Sequence, residues 1–282
     1  MIYGSHKASK NFMEIVMKHN SLRQAYQSSM IELVNNGQVI ESQKWQGVKP
    51  PDNMVEIVHH TWTAPIPKTI QEMTTIVPCN IPWAEDHFQE RISGRPLNPG
   101  NEYKNWPFYR GNVEQHKAEG EFTHTYMERF WPKGANLCPT EKMQHMGIRY
   151  PYGDLADVVD LLAKDKTTRQ AYLPIWFPED TGVLHGGRVP CTLGYHFICR
   201  DERLHCLYPI RSCDAVRHLP DDIYMACRLV KHIIREVQIR NNRWFEIHPG
   251  NLTMVFGSLH FWEKELELWK KRCKSWQDQG ES

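Results

Sequence analysis

The stretch that most restricts the fold runs from Arg188 to Ile223, RVPCTLGYHFICRDERLHCLYPIRSCDAVRHLPDDI. Apolar residues fill Leu193 to Cys199 and again Leu204 to Ile210, with Asp201, Glu202 and Arg203 between them. Two apolar runs of strand length around a short polar break predict a tight β-hairpin. In a hairpin the start of the first strand lies beside the end of the second. Cys191, directly after Pro190, therefore faces Arg211 and Ser212. A guanidinium makes a neighbouring thiol easier to ionise, and the thiolate is the nucleophilic form. The same Arg–Ser pair can hold a phosphate, through forked charge-assisted hydrogen bonds and a hydroxyl. Taken singly, each residue has an ordinary reading. Cysteine is among the most buried residue types, and this chain has eight of them.

The rest of the chain narrows the function classes. At 282 residues it can bury one sizeable core, so it reads as a single domain over 1–282. A formal net charge of +1 gives no electrostatic case for a nucleic-acid or membrane partner. No run of 18 apolar residues predicts a spanning helix, and the polar first twenty residues predict a chain that stays in the cytoplasm. The cysteines show no CxxC spacing and read as reduced thiols. The fifteen histidines show no metal-ligand spacing, and adjacent His59 and His60 on a strand point to opposite faces, so no metal is assigned.

Helices are legible at several places. Ser21 caps a helix to Asn36 with Gly37 as its stop. Ile81 to Gly94 reads as a short helix, and Gly153 to Asp165 as an amphipathic one. Pro220 to Ile239 is a long helix with Asp221 and Asp222 at its positive end. Asn53 to Thr63 and a segment within Phe245 to Phe256 read as strands, and His260 to Trp276 as a terminal helix.

Pro190-Cys191-Thr192, followed twenty residues after the cysteine by Arg211-Ser212-Cys213-Asp214, resembles the nucleophile and phosphate motifs of the thymidylate synthase family. Gly120-Glu121, Tyr126, Trp131 and the string Gly257-Ser258-Leu259-His260 are similar to its phage deoxycytidylate hydroxymethylase branch. The resemblance runs from about Gly120 to Trp262. It implies an α/β (α+β) fold with a large mixed sheet backed by helices, and an isologous homodimer formed through the sheet face.

It also implies a reaction: dCMP to 5-hydroxymethyl-dCMP, with 5,10-methylenetetrahydrofolate as carbon donor and water as the final nucleophile. A folate-dependent methyltransferase on dCMP or dUMP, or a hydroxymethylase on dUMP or CMP, stays open beside it. Cys191 is implied as the nucleophile toward C6. Glu85, in Ala84-Glu85 with Phe88 after it, is implied as the proton relay, with Glu90 as its rival. Arg211, Ser212 and Asp214 are implied on the substrate side, with Arg169 reaching over from the partner subunit; Gln170 stands where a second arginine is usual. Lys44 is a positional match for a further phosphate cation. Tyr126 and Trp131 are implied to line the folate and pyrimidine pocket, and a flat pterin needs such aromatic faces. His260 and Trp262 fall at the sugar-binding positions, although Trp262 replaces a tyrosine. Asp222 stands where uracil-specific members have asparagine. A carboxyl can accept from cytosine's amino group and meet N3.

Overall fold

The computed structural model describes residues 16–41, 52–109, 117–118, 120–135, 153–181, 189–242 and 246–280. Lys44 lies outside them. The hairpin is the centre of a seven-stranded mixed sheet. Its strands are β1 (Met17–Lys18), β2 (Gln38–Ile40), β3 (Met54–Pro65), β6 (Tyr172–Pro174), β7 (Gly194–Arg200), β8 (Arg203–Asp214) and β9 (His248–Trp262), in the order β1-β3-β9-β8-β7-β6, with β2 also on β3. The β8–β9 pair is parallel, while β3–β9, β7–β8 and β6–β7 are antiparallel. A small separate pair, β4 (Lys117–Ala118) and β5 (Glu121–Phe122), stands apart from it.

The turn joining β7 to β8 holds Asp201 and Glu202 at φ 49° and 54°. Two consecutive left-handed residues give the twist that a two-residue hairpin requires. Helices cover one face of the sheet: α1 (Leu22–Asn36), α2 (Ile70–Ile76), α3 (Trp83–Arg91), α4 (Tyr126–Phe130), α5 (Leu155–Lys164), α6 (Leu219–Arg240) and α7 (Leu266–Gly280). Ser21 caps α1 through the Gln24 amide at 3.1 Å, as its position predicts. The central α6 buries Ile223, Leu229, Val230 and Ile233 against the sheet. One expectation is corrected: His260 does not open a helix. Leu259 to Trp262 complete β9, and α7 begins at Leu266. Apolar residues run on from strand into helix there, so no change of period marks the boundary.

Three neighbouring strands change face at one level. In β8 the buried positions are Leu204, Cys206, Tyr208 and Ile210, then Cys213. In β9 they are Leu252, Met254 and Phe256, then Leu259 to Trp262 without a gap, with Leu259 and Phe261 at 0% exposure. In β3, Ala64, Trp62 and His60 give way to Val55 and, less deeply, Met54. The register aligns the switch, because Ile210, Phe256 and His60 share one row and Cys213, Leu259 and Ile57 another. His59 lies at the switch with φ 55°, where Val58 and His59 are both exposed in place of the usual alternation. Gly257 lies there too. A Cβ on it would sit 2.6 Å from the Arg211 carbonyl oxygen, so the strands approach this closely only because the side chain is missing. Gly257→Ala is expected to lower the unfolding free energy by about 1–3 kcal/mol through overpacking. A urea titration with an unchanged midpoint would contradict this.

Past the switch, two polar rows cross the sheet on the face away from the helices. One holds Ser212 and Ser258; the other holds Asp214, His260 and Glu56. Before the switch that same face carries Leu207 and Thr253, and Leu207 is 39% exposed.

Candidate active site

Pairing between the hairpin and its lead-in segment brings Cys191 to Arg211. The Arg211 amide donates to the Cys191 carbonyl at 2.9 Å, and Thr192 bridges to Ile210. The Arg211 guanidinium folds over the lead-in, donating from Nε to the Pro190 carbonyl at 2.8 Å and from Nη2 to that of Val189 at 3.0 Å. These bonds fix the cation beside the thiol-bearing residue and leave it part-exposed. Cys191 is a thiol and also keeps part of its surface open.

Two groups of α4 and α6 complete the surroundings. Thr125 caps α4 in a reciprocal capping box with Glu128, which sets Tyr126 at the first helical position. The Tyr126 hydroxyl accepts from Thr192 Oγ1 at 3.3 Å. Pro220 starts α6 and places Asp222 in its first turn. Asp222 and Tyr126 are each surrounded by protein, yet both keep some accessible surface, as groups in the floor of a cleft do. Burial pushes the Asp222 carboxyl up to about 7, with Arg91 opposing and Asp221 adding to the rise. Burial also pushes the Tyr126 phenol up to about 12; Cys191 and Asp222 reinforce this, and Arg91 and the Thr192 hydrogen bond oppose it. The mutual influence of Cys191, Tyr126 and Asp222 places them in one neighbourhood.

Arg91 is the member that the sequence reading missed. It closes α3, where an arginine reads as a surface cation complementing the helix dipole. Instead it is 4% exposed, its guanidinium lies 4.2 Å from the Tyr126 ring centroid, and its Nε has no hydrogen-bond partner among the described residues. Tyr208 was also missed, because within β8 it reads only as a core aromatic. Its hydroxyl shares a 2.9 Å hydrogen bond with Thr192 Oγ1, and it lies near enough to Asp222 to oppose the rise of that carboxyl's pKa.

The two glutamates are engaged elsewhere. Glu85 is held by Arg228 in a fork, with Nε and Nη2 each at 2.7 Å, and by the Tyr224 hydroxyl at 2.6 Å. Burial alone would raise its pKa, but hydrogen bonds from Arg228, Tyr224 and Gln89 hold it below the ordinary value. On α3, Glu85 and Arg91 are six residues apart, roughly 9 Å along the axis and about 120° around it. The side of the helix that meets Tyr126 is therefore not the side that carries Glu85. Glu90 accepts from the Asn101 amide at 2.5 Å and the Glu102 amide at 3.2 Å, tying down the loop after α3.

The remaining candidates lie around this centre. Ser212 pairs in register with Ser258. Asp214 accepts from the Val216 and Arg217 amides, both at 2.9 Å, and from the Arg217 side chain at 3.1 Å, so it shapes the turn into α6. His260 is 7% exposed, shares a 3.1 Å hydrogen bond through Nδ1 with Ser258, and has its pKa lowered by burial. Ser258 also donates to Glu56. Trp262 is 5% exposed, at the end of β9. Trp131 donates its indole N–H to the Arg91 carbonyl at 2.8 Å, which supports the end of α3. Trp106 stacks on His218 at 4.9 Å, and its own indole nitrogen is buried with no hydrogen-bond partner among the described residues. A flat heterocycle with acceptor nitrogens suits such a wall. Arg169 is exposed at the rim of the open sheet face, where its carbonyl meets His196. A separate cleft of about 940 Å³, lined by Arg203, His205 and His248, opens at the other end of β8 and contains none of these groups.

Among the described residues no helix is long and apolar enough to cross a membrane. Comparison with known proteins adds the following. The family model described as thymidylate synthase matches residues 103–279, more than half of the chain. A protein of Methanococcoides burtonii named "Putative thymidylate synthase" is 28% identical over 118 residues, covering 42% of this chain and 49% of that protein. One of the same name from Methanosarcina mazei is 28% identical over 112 residues, covering 39% and 46%. The chain thus spans about half the length of these two relatives. With a third of that name, from Methanosarcina acetivorans, identity is 20% over 256 residues, covering 90% and 92%.

Proposed function

The chain belongs to the thymidylate synthase family, and on that premise we propose that it is a pyrimidine-nucleotide 5-hydroxymethyltransferase converting dCMP to 5-hydroxymethyl-dCMP. The observation that carries the choice of base is Asp222. A carboxyl whose pKa is pushed up to about 7 can accept from cytosine's exocyclic amine when ionised and donate toward N3 when protonated. Uracil presents the opposite pattern.

The residues divide the work as follows. The Cys191 thiolate forms a bond from Sγ to C6, and the displaced electron pair makes C5 nucleophilic. When bound, 5,10-methylenetetrahydrofolate supplies one carbon at the oxidation level of formaldehyde. C5 takes that carbon and gives up its proton, and the bond from the carbon to the folate nitrogen breaks, so that tetrahydrofolate leaves. Water then adds to the new exocyclic carbon, and the Sγ–C6 bond breaks to restore the ring. Arg211 and Ser212 would hold the 5′-phosphate, joined by the partner subunit's copy of the exposed arginine at 169, in a dimer closed through the open sheet face. His260, steadied by Ser258, would meet the sugar. Trp262 can only donate from its indole nitrogen, so Glu56 is the nearby acceptor for a sugar hydroxyl. Tyr126, Trp131 and Trp106 would wall the folate.

The test is a product assay. Purified protein is incubated with methylenetetrahydrofolate and, separately, dCMP, dUMP and CMP; products are weighed by mass spectrometry while dihydrofolate absorbance is followed. Hydroxymethyl-dCMP without dihydrofolate is expected. Methylated product with dihydrofolate would keep the nucleophile and replace the final step by reduction. Product from dUMP alone would overturn the role given to Asp222.

A further inference from the structure

On the open sheet face a line of polar groups runs from β3 to β9, and its protons can be placed one by one. Ser258 Oγ donates to Glu56 Oε1. The same oxygen lies 3.1 Å from His260 Nδ1. A hydroxyl has one proton and a carboxylate only accepts, so the Ser258 proton is committed to Glu56. The bond to Nδ1 must then take its proton from the ring, and Nδ1 carries the N–H. His260 is 7% exposed, and burial lowers its pKa, so the ring is uncharged in neutral solution and holds no second proton. Nε2 is therefore a bare acceptor. It makes no hydrogen bond among the described residues and stays reachable by solvent.

We propose that Glu56, acting through Ser258, fixes the tautomer of His260 so that Nε2 accepts a hydrogen bond from the 3′-hydroxyl of the nucleotide sugar. This inference rests on the reading of the chain as a nucleotide-modifying enzyme. His260 is the residue that touches the sugar in this arrangement; Ser258 and Glu56 are positioning residues. The placement suits the role. Ser258 is in register with Ser212, the neighbour of Arg211, and His260 with Asp214 on one side and Glu56 on the other. Asp214 does not take over the part of Glu56. Its two oxygens are occupied by the Val216 and Arg217 amides and by the Arg217 side chain.

The consequence is a sugar specificity. His260 Nε2 and the carboxylate of Glu56 both take protons, so this side of the pocket receives hydroxyl donors. A sugar carrying a free 3′-hydroxyl satisfies Nε2. One whose 3′ position has lost the hydroxyl, or holds a group that only accepts, leaves Nε2 facing nothing or a second acceptor, in a pocket wall that is largely shielded from water.

The experiment has two arms. The first reads the ring itself, without substrate, in long-range nitrogen–proton NMR spectra of the labelled protein at pH 8. The His260 signals are assigned by their loss in His260→Gln. The proton is expected on Nδ1 in the parent and in Ser258→Thr, which keeps the hydroxyl. It is expected on Nε2, the form a free histidine side chain favours, in Ser258→Ala and in Glu56→Leu. The second arm compares the 2′-deoxynucleotide with its 3′-fluoro-2′,3′-dideoxy analogue, both built on the base that the product assay selects. The parent is expected to hold the fluoro analogue about 10–100-fold more weakly, because fluorine cannot donate. Ser258→Ala should raise KM for the hydroxyl-bearing nucleotide by about 5–30-fold, keep kcat within about threefold and narrow the discrimination by a similar factor, with Ser258→Thr restoring both. A parent with the proton on Nε2, equal binding of the two nucleotides by the parent, or a Ser258→Ala protein with parental discrimination would each overturn the inference. A parent that binds no nucleotide would sink the enzyme reading and the sugar contact with it, and the substrate-free spectrum tells that failure apart from a wrong placement of the proton.

Discussion

Replacing Cys191 with alanine is expected to reduce product formation by at least about 10⁴-fold, because the proposed mechanism gives the thiol the bond to C6. Nucleotide binding should persist within about threefold. The phosphate contacts ascribed to Arg211 and Ser212, and the base contact ascribed to Asp222, do not depend on the thiol. The structural cost is small, since Cys191 is only partly buried and is not in a disulfide. The Arg211 side chain is held by the carbonyls of Pro190 and Val189, which the substitution leaves in place. Calorimetric titration with dCMP, beside the mass-spectrometric assay, separates the two effects. Normal turnover in the variant would remove the covalent mechanism.

Asp222→Asn is the second large effect, and it has two readouts. Asparagine offers an amide that suits uracil's O4 acceptor and N3 donor, so preference for dCMP over dUMP should fall by a factor of about 10²–10⁴. The same substitution should stabilise the protein in alkaline solution. The ordinary aspartate pKa is about 3.9, and in the folded chain burial raises this carboxyl to about 7. Below about pH 4 both states carry the proton, and the folded state loses nothing. As pH rises toward 7 the unfolded chain ionises while the folded one resists, so stability declines by up to about 1.4 kcal/mol per unit. Because solvent reaches part of the side chain, about 2–3 kcal/mol is a reasonable total. A neutral amide carries no such penalty. Urea unfolding should show the variant about 2–3 kcal/mol more stable than the parent at pH 8 and equal to it at pH 4. Equal stability at both values would mean that the carboxyl is not strained.

Such a trade of stability for a perturbed acid is usual where a protein places chemistry. The perturbation here is built by more residues than a motif shows. The meeting of Cys191 and Arg211 was legible because a hairpin fixes where its ends pair, whereas Asp222 was singled out by the family resemblance alone. Ser21, Gly37 and the apolar stripe of α5 were legible for the same local reason. Arg91 was not: nothing in the composition of a helix end says that another helix will close over it. Tyr208 hid in a strand whose alternation predicts only core. The arginine and tyrosine that hold Glu85 were hidden too, because they lie on a helix far along the chain. The end of β9 misled because apolar residues continued without a change of period. In each case the deciding partner is distant in sequence, and only tertiary packing supplies it.

The aligned change of face at Ile210–Arg211, Phe256–Gly257 and His59 has a consequence for heredity. Along most strands, tolerance to polar substitution alternates with a single phase from end to end. In β8, β9 and β3 that phase must invert partway. Even-numbered positions would be intolerant on one side of the break, and odd-numbered ones on the other. A library covering every substitution would show the inversion in all three strands at the same level. A one-residue insertion on one side would scramble one half of each strand and spare the other.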